Sequence, residues 1–246
     1  VTTPVSVLAF DPDNSDIMYV GKIGGQVLMS VDGGQTWSHH SQSPLDYIKT
    51  LVVNQLNGDL WMCGPGYQGG GTKPGGLFKF DNIGDEWASM YPQEPNTHVR
   101  DIIFDSNADD AGTQNIWISS DAGVMKSVNG GQDWSDISDF GDDSLALALN
   151  PSVPEIIYSN GLDGIAKTTN GGQTWVPVNE GLTAIVPTFM AVNPNQPEAV
   201  YGCFTYSFGS QTGGNAWQRL LDTCGHIVVD PTDPQHVIIG TFVADD

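Results

Sequence analysis

The sequence predicts an all-β fold built from about six similar units, and two periodic patterns carry this prediction. Five eight-residue segments end in tryptophan, and these tryptophans lie 41 to 50 residues apart. Between them recurs an apolar run that ends at an Asp-Pro or Asn-Pro turn, followed by a short segment ending in an aromatic residue. A period in the forties with several short strands per unit is typical of the blades of a β-propeller.

The segments that end in tryptophan share a pattern that we call the box. It starts with Ser or Thr, carries Asp or Asn at its third position and Gly at its fifth, and ends with Trp. The clear copies are 30–37, 127–134 and 168–175, and the weaker copies are 80–87 and 210–217. Asp or Asn can accept hydrogen bonds from nearby backbone N–H groups, glycine allows positive φ, and tryptophan can pack between sheets. We therefore assign structural roles to Asp32, Trp37, Trp87, Asn129, Trp134, Asn170, Trp175 and Trp217.

Each unit is predicted to hold four strands, A to D. Strand A is the apolar run, strand B ends at the aromatic residue, strand C leads into the box, and strand D begins at the tryptophan. The predicted blades cover residues 5–41, 49–91, 99–138, 145–179 and 188–221, with strands A and B of a sixth at 226–242. We expect residues 1–246 to form a single propeller domain.

The partial sixth blade leaves the predicted ring incomplete. Residues 1–4 precede the first strand A and could supply at most one short strand. Three explanations stay open: a reduced sixth blade, a chain cut from a longer propeller, or an edge completed by a strand from a partner. An uncovered strand edge favours aggregation or pairing with another chain.

The charge of the chain excludes one class of partner and leaves others open. The net charge is −21, from 29 acidic and eight basic residues. Nucleic-acid binding is not expected, because phosphate contacts require a basic stripe. No apolar stretch approaches the roughly 20 residues of a membrane span. The acidic surface either serves solubility or attracts cationic partners.

The boxes resemble those of the Asp-box, or BNR-repeat, β-propellers. The family pattern is Ser/Thr-x-Asp-x-Gly-x-Thr-Trp/Phe, and segment 30–37 matches it in full. The resemblance covers essentially the whole chain. The family includes sialidases, tandem-propeller xyloglucanases, sortilin-type receptors and a photosystem II assembly factor, so function must be argued from a site.

Three family functions can be compared with this chain. Sialidases hold a substrate carboxylate with three arginines, and this chain has only Arg100 and Arg219, which excludes that activity. In xyloglucanases a catalytic Asp stands in the first-blade B–C loop, and the matching residue here is Lys22. The assembly factor is expected to use a basic face that eight basic residues cannot reproduce.

The cysteines suggest one disulfide. Cys203 ends a predicted strand B and Cys224 precedes the next strand A, so both should lie on one face. We predict a Cys203–Cys224 disulfide with Cys63 free, and three buried thiols are the alternative. Asp-box propellers are mostly exported, so the resemblance implies an extracellular or periplasmic location.

Candidate binding residues lie in the B–C and D–A loops. The longest is the second B–C loop, 64–76, which is either functional or a flexible glycine loop. Aromatic side chains beside carboxylates are what a glycan site needs, although they are also ordinary loop composition in an acidic chain. The candidates are Tyr67, Tyr47, Tyr91, Tyr206, Phe208, Asp121 and Asp163.

The sequence favours a binding function over catalysis. Segments 105–109 and 11–16 have partial calcium-loop spacing without a glutamate at position twelve, and no zinc or nucleophile motif is present, so we expect no metal or cofactor and assign no catalytic residue. We expect an exported, non-catalytic module that holds a protein or glycan through its loop face or open edge, within a larger assembly. The alternative is part of a glycoside hydrolase resembling the tandem-propeller xyloglucanases.

Overall fold

The computed structural model describes residues 3–65, 75–91, 98–108, 113–138, 144–161, 164–183, 189–203, 205–223, 225, 227–229 and 237–239. Within these ranges every element of regular secondary structure is a β-strand, which confirms the predicted all-β class. Tyr67, Asp163 and Cys224 are among the predicted residues that lie outside the described part of the chain.

The described strands form five four-stranded antiparallel sheets and one two-stranded sheet. Sheet one holds β1 (Val5–Phe10), β2 (Met18–Lys22), β3 (Gln26–Ser30) and β4 (Ser38–Gln42). Sheet two holds β5 (Thr50–Val53), β6 (Leu60–Gly64), β7 (Gly76–Asp81) and β8 (Glu86–Ser89). Sheet three holds β9 (Val99–Ala108), β10 (Gln114–Ser120), β11 (Gly123–Ser127) and β12 (Ser135–Asp136). Sheet four holds β13 (Ala146–Leu149), β14 (Ile157–Gly161), β15 (Gly164–Thr168) and β16 (Val176–Pro177). Sheet five holds β17 (Phe189–Val192), β18 (Val200–Cys203), β19 (Ser207–Ser210) and β20 (Gln218–Leu221), and sheet six holds β21 (Ile227–Val229) and β22 (Val237–Ile239).

These sheets confirm the prediction of five complete units and a partial sixth, but strand D begins one residue after the tryptophan in four sheets, and the predicted end of strand B was wrong. The aromatic residue was expected to end strand B, whereas it stands second in the strand: Tyr19 in β2, Trp61 in β6, Tyr158 in β14 and Tyr201 in β18. The residues that follow the aromatic residue are small or polar, which is typical of a turn. They remain part of strand B because they are buried and hydrogen-bonded there: the side-chain oxygen of Asn160, for example, accepts the Ala146 N–H at 2.7 Å.

The chain divides into two compact units. Unit 1 comprises Val1–Ile116 and Ser127–Trp134, and unit 2 comprises Trp117–Lys126 and Ser135–Asp246. The boundary falls within β10, so that the box of sheet three belongs to unit 1. The single-domain expectation stays a prediction.

Each unit has its own apolar core. In unit 1 it lies between sheets one and two and comprises Ala9, Val27, Leu45, Ile48, Leu51, Val53, Leu60, Met62, Phe78 and Phe80. In unit 2 one cluster comprises Ala148, Tyr158, Ile165, Val178, Val200, Phe208 and Trp217, and a second comprises Ala199, Tyr201, Cys203, Ile227 and Val229. The alternating apolar positions of the predicted strands supply most of these side chains.

In four of the five segments the box forms the turn between strands C and D through a repeated set of hydrogen bonds, whereas in segment 80–87 Phe80 pairs with Trp87 and Asp81 with Glu86 across a different turn. In the first box the Ser30 hydroxyl accepts the Gly34 N–H at 2.9 Å, and Asp32 accepts the Thr36 N–H at 2.9 Å. Asn129 and Asn170 take the place of Asp32 in the boxes at 127–134 and 168–175. In the box at 210–217 the hydroxyl of Thr212 does the same and accepts the Ala216 N–H at 3.0 Å. Any side-chain oxygen at the third position of the box, whether of a carboxylate, an amide or a hydroxyl, can therefore accept this hydrogen bond.

The box tryptophan joins its sheet to the preceding one. The indole N–H groups of Trp134, Trp175 and Trp217 donate to the backbone carbonyls of Met90, Ile137 and Val178, at 2.7, 2.7 and 2.8 Å. We call these acceptors joint residues, and each lies three positions after the tryptophan of its own sheet. Trp87 makes a related bond at 3.1 Å to the Ser41 hydroxyl.

The fifth-position glycine of the box completes the joint. A Cβ on Gly172 would collide with Cδ1 of Ile137, and one on Gly214 would lie 3.1 Å from Cγ2 of Val178. Gly172 also has φ of +97°, which side chains rarely adopt. The joint thus consists of a glycine hollow, an aliphatic side chain that fills it, and one indole hydrogen bond.

Candidate functional site

Because neighbouring strands are antiparallel, the start of strand A lies beside the end of strand B. The B–C and D–A connections therefore lie at the same end of the strands, which we call the loop edge. The boxes lie at the opposite end of the strands. The predicted binding residues belong to these connections, so we describe the loop edge of each unit in turn.

In unit 1, the connection between sheets one and two is fixed on both sides. Gly24 N–H donates to the Asp46 carbonyl at 2.8 Å, and Lys49 N–H donates to the Cys63 carbonyl at 2.9 Å. Leu45 and Ile48 are fully buried beneath it. A Cβ on Gly64 would collide with the carbonyl oxygen of Tyr47, so the connection lies directly against the end of β6. These contacts hold the backbone of segment 43–49 in place, and we call this rigid segment the mount.

Tyr47 is the exposed aromatic side chain on this mount. It is 44% exposed, while its neighbours in the chain are buried or half-buried. A rigid backbone holds an exposed aromatic ring with little entropy left to lose on binding, which favours a contact surface.

Basic side chains gather at the same edge of unit 1. Lys22 ends β2, Lys49 precedes β5, and Arg100 is the second residue of β9. Burial lowers the pKa of Lys49 below its usual value, while the nearby Asp101 carboxylate raises it and Arg100 lowers it. The loop edge of unit 1 thus holds three of the chain's eight basic residues, and the carboxylates of Asp46 and Asp101 lie at the same edge.

Other lysines have structural roles that we did not predict from the sequence. Lys79, Lys126 and Lys167 each stand just before a box, and their ammonium groups lie 5.9, 5.2 and 5.2 Å from the ring centres of Trp61, Trp117 and Tyr158. Lys167 also donates to the Gly213 carbonyl at 3.0 Å. The repeated Lys before the box was the signal that could have revealed this cation–π pairing.

Cys63 lies under the basic edge as a free, fully buried thiol. Burial raises its pKa well above the ordinary value, and the nearby Asp101 carboxylate raises it further. The group therefore stays protonated and has the character of a structural thiol instead of a nucleophile.

The surroundings of Tyr91 differ from those of the exposed Tyr47. It follows β8, is half-buried, and packs edge-on against Trp134 with ring centres 5.8 Å apart. Its backbone carbonyl accepts the Ser89 hydroxyl at 3.1 Å. Tyr91 therefore supports a joint in unit 1 in addition to any surface role.

In unit 2, the predicted residues have different environments. Tyr206 connects β18 to β19 and is covered by the Arg219 guanidinium at 3.4 Å, which in turn pairs with Asp222 at 2.7 Å. Asp121 occupies the half-buried turn between β10 and β11. Phe208 is only 1% exposed and packs in the core, so it cannot contact a ligand at the surface, and we leave it out of the proposed site.

Three further findings bear on the predictions made from the sequence. Cys203 is disulfide-bonded, and its predicted partner Cys224 lies outside the described residues. Within the described ranges, no group of three or more His, Cys, Asp or Glu side chains could hold a metal ion. Among the same residues, no helix is long and apolar enough to cross a membrane.

Comparison with known proteins identifies the fold. No protein-family model matches the chain, and no curated protein matches it. The GH74 xyloglucanase from Xanthomonas campestris is similar in structure, with a TM-score of 0.75 at 18% identity over 96% of this chain and 43% of that chain. The GH74 enzyme from Niastella koreensis has a TM-score of 0.73 at 18% identity over 96% of this chain and 43% of that chain. YCF48 bound to D1 peptide has a TM-score of 0.53 at 15% identity over 89% of this chain and 81% of that chain.

The chain has the fold of a β-propeller. At these identities the likeness shows the fold alone, and it confirms the predicted fold class. The chain spans less than half the length of the xyloglucanases, at 43%. It spans most of the length of YCF48, at 81%.

Proposed function

We propose that this protein is a binding module that holds a polypeptide partner at the loop edge of unit 1. The observation that carries the proposal is the rigid mount at 43–49, which presents the exposed Tyr47 beside Lys22 and Lys49. An aromatic anchor with neighbouring basic groups suits a peptide segment that carries acidic side chains. The acidic remainder of the surface would repel such a segment and direct it to this edge.

One of the comparisons supports a polypeptide partner. YCF48, whose structure contains a D1 peptide, is matched over 81% of its length, so a chain of this size can act as a peptide-binding propeller. The repeated hydrogen bonds of the boxes support membership of the Asp-box propellers. The disulfide-bonded Cys203 supports an extracellular or periplasmic location, where disulfides persist.

The test starts from a displayed library of random 12-residue peptides selected against the whole protein. The affinity of selected peptides is then measured by fluorescence anisotropy for the wild type, Tyr47→Ala and Lys49→Gln. Ile83→Ala is the matched control, because Ile83 is a highly exposed apolar residue of the same unit at its opposite edge. We expect Tyr47→Ala to weaken binding about tenfold or more, a loss of about 1.4 kcal/mol.

Two outcomes contradict the proposal. Peptides whose affinity is equal for the wild type and Tyr47→Ala, but reduced in Ile83→Ala, would place binding at the box edge. A library that yields no peptide, together with saturable binding on a glycan array, would replace the polypeptide with a carbohydrate.

A second candidate function is part of a glycoside hydrolase, and the structural likeness to GH74 xyloglucanases favours it. Their TM-scores of 0.75 and 0.73 exceed that of YCF48. Since the chain matches only 43% of the xyloglucanase chain, such an enzyme would draw further residues from outside the 246 residues described by the sequence. Release of reducing ends from xyloglucan by this chain would support the candidate, and its loss in Asp121→Asn would identify a carboxylate.

A further inference from the structure

The contact between sheets one and two is a joint built around a titratable side chain. His40 lies three positions after Trp37, the tryptophan of sheet one, and so holds the position that Met90, Ile137 and Val178 hold in the next three sheets. Those three side chains are apolar, whereas an imidazole can bind a proton near neutral pH. Of these four joint positions, only the one between sheets one and two can therefore change its charge.

The imidazole of His40 is half-buried between two aromatic rings. Its ring centre lies 5.4 Å from that of Tyr19 on β2 and 4.6 Å from that of Phe80 on β7. Phe80 is the first residue of the second box, so the imidazole packs directly against the neighbouring sheet. Because a charged imidazole is poorly solvated in such a site, the packing favours the neutral ring.

The neutral ring also completes a chain of hydrogen bonds across this joint. The Trp87 indole N–H donates to the Ser41 hydroxyl oxygen at 3.1 Å, and Nδ1 of His40 lies 2.9 Å from the same oxygen. Since the Ser41 oxygen accepts from Trp87, its own proton can go to a neutral Nδ1. A protonated imidazole carries hydrogen on both nitrogens, so Nδ1 can then only donate. The buried Ser41 hydroxyl would lose its acceptor, which destabilises the joint.

The ionisable groups around the imidazole come from several elements. Burial lowers the pKa of His40 below its ordinary value of 6.5 and is the largest effect, while the Asp85 carboxylate raises this pKa and the neighbouring His39 lowers it. Burial also raises the pKa of the Tyr19 phenol, and the Asp11 carboxylate raises it further, so Tyr19 stays neutral. The strands that pack against the imidazole also carry Lys22, Lys79, Asp81 and Glu86.

The joint and the mount share one apolar core. Leu45 and Ile48 of the mount lie in the same buried cluster as Phe80. Tyr19 and Trp87 pack against this cluster. Strand β4, which carries the imidazole, leads directly into the mount. A loosened joint therefore removes support from segment 43–49.

We propose that His40 is a pH switch for the mount. In mildly acidic solution a proton on the imidazole loosens the joint between sheets one and two, and the backbone of segment 43–49 becomes mobile. A mobile mount gives Tyr47 more entropy to lose on binding, so the partner is released. The inference rests on the binding function proposed above, because it assigns a regulation to the same site.

The pH range of the switch follows from the direction of the shift. Since folding lowers the pKa of His40, the neutral ring contributes its full stabilisation above 6.5, and this contribution is lost as the pH falls below that value. A comparison of about pH 7.5 with about pH 5 therefore tests the switch.

The first experiment measures amide exchange by NMR in the whole protein without a partner. The Ser43 and Lys49 N–H groups are hydrogen-bonded at the two ends of the mount, and their protection factors are compared at the two pH values. We expect both factors in the wild type to fall about threefold or more at the lower pH. The Val178 N–H, which donates to a carbonyl in unit 2, should keep its protection.

Two variants separate His40 from the other titrating groups. His40→Met installs the side chain that Met90 supplies at the same position in sheet two, and it should keep the protection of the mount in acid. His39→Met, at the exposed neighbouring position, should behave as the wild type. An equal fall of protection in His40→Met and the wild type, or no fall in the wild type, overturns the proposal.

A measurement on the wild type keeps the test decisive if His40→Met does not fold. The pKa values of His40 and His39 are obtained from the NMR shifts of their ring protons over about pH 4 to 8. A lower pKa for His40 than for His39 supports the proposal. An equal or higher value overturns it, because Asp85 and the aromatic rings would then favour the charged imidazole.

The last experiment tests release of the partner. The affinity of the peptides selected for binding at Tyr47 is measured by fluorescence anisotropy at both pH values. We expect acid to weaken binding about threefold more in the wild type than in His40→Met, and equal weakening would overturn the switch. If the library yields no peptide, the proposed function fails, and amide exchange at Ser43 and Lys49 alone decides whether His40 controls the mount.

Discussion

The first and the fifth boxes differ in a way that their sequences do not suggest. Segment 30–37 matches the full box pattern, yet Trp37 is 37% exposed and its indole N–H donates within its own turn to the Gly34 carbonyl. Segment 210–217 has Thr at the third position, yet Trp217 is 4% exposed and donates to Val178 in the preceding sheet.

The difference separates two properties that the pattern combines. The turn depends on residues within the box, and both boxes form it with the same hydrogen bonds. The joint depends on a neighbouring sheet that supplies a side chain and a carbonyl. A good match to the pattern therefore predicts a turn, whereas the stability of the joint depends on packing with another unit of the repeat.

The largest expected effect on stability comes from replacing the tryptophan of the fifth box, in comparison with that of the first box. Trp217→Ala should lower the free energy of unfolding by about 3–5 kcal/mol, because it deletes a buried side chain and leaves the Val178 carbonyl without its donor. Trp37→Ala should cost about 1 kcal/mol or less, as is usual for a partly exposed residue. Denaturant unfolding followed by circular dichroism measures both.

The variant Trp217→Phe divides the larger effect into its parts. It keeps most of the apolar area and removes the indole N–H, so it should cost about 1–3 kcal/mol. Equal losses for alanine at positions 37 and 217 would contradict the distinction between turn and joint.

The sheets could be predicted because the same physical signals recur in most of the units. Asp11-Pro12 and Asn150-Pro151 end strand A, and glycine and tryptophan frame the C–D turn. The extent of strand B could not be read in this way. Ser159 and Asn160 look like turn residues, but they are buried where other strands supply hydrogen-bond partners. Such partners are distant in the sequence, so a local pattern does not reveal them.

The candidate site was predicted less well than the fold. Tyr47 and Phe208 were both chosen as aromatic residues near loops, and the structure leaves one exposed and buries the other. The difference arises from strand register: Phe208 opposes Gly202 in sheet five and points into the core of unit 2. The proximity of Lys49 to Arg100 was also missed, because these two residues are far apart in the sequence and come together only through the order of the strands.

A smaller effect is expected from the glycine at the fifth position. Gly172 and Gly34 have φ of +97° and +84°, so alanine strains both by about 1–2 kcal/mol. At Gly172 the new methyl group also meets Ile137, whereas at Gly34 the nearest atom is the Met18 sulfur at 3.4 Å. We expect Gly172→Ala to cost about 1–3 kcal/mol more than Gly34→Ala.

Shortening the opposing side chain tests the cause of that difference. In the Gly172→Ala background, Ile137→Ala should be less destabilising than in the wild type, and the double-mutant cycle gives the coupling. Additive losses would mean that backbone strain explains both positions and that the joint contributes nothing at this contact.

The smallest expected effect is the pH dependence of the two turns. Hydrogen bonds from Thr36, through its hydroxyl and its N–H, and from the Ser30 hydroxyl lower the pKa of Asp32 to about 2 from 3.8. A carboxyl whose pKa is depressed on folding stabilises the turn fully above its unfolded pKa, and this contribution is lost as the pH falls through about 4 to about 2. Thr212, which holds the same position in the fifth box, has no such proton to gain.

Amide hydrogen exchange should therefore separate the two boxes in acid. The Thr36 N–H, which donates to Asp32, should lose protection between pH 4 and pH 2 relative to the Ala216 N–H, which donates to Thr212. Asp32→Asn should abolish the difference, because the amide of Asn129 accepts the same bond in the third sheet without titrating. Equal acid sensitivity at Thr36 and Ala216, or its persistence in Asp32→Asn, would assign the loss to general unfolding and not to the box carboxylate.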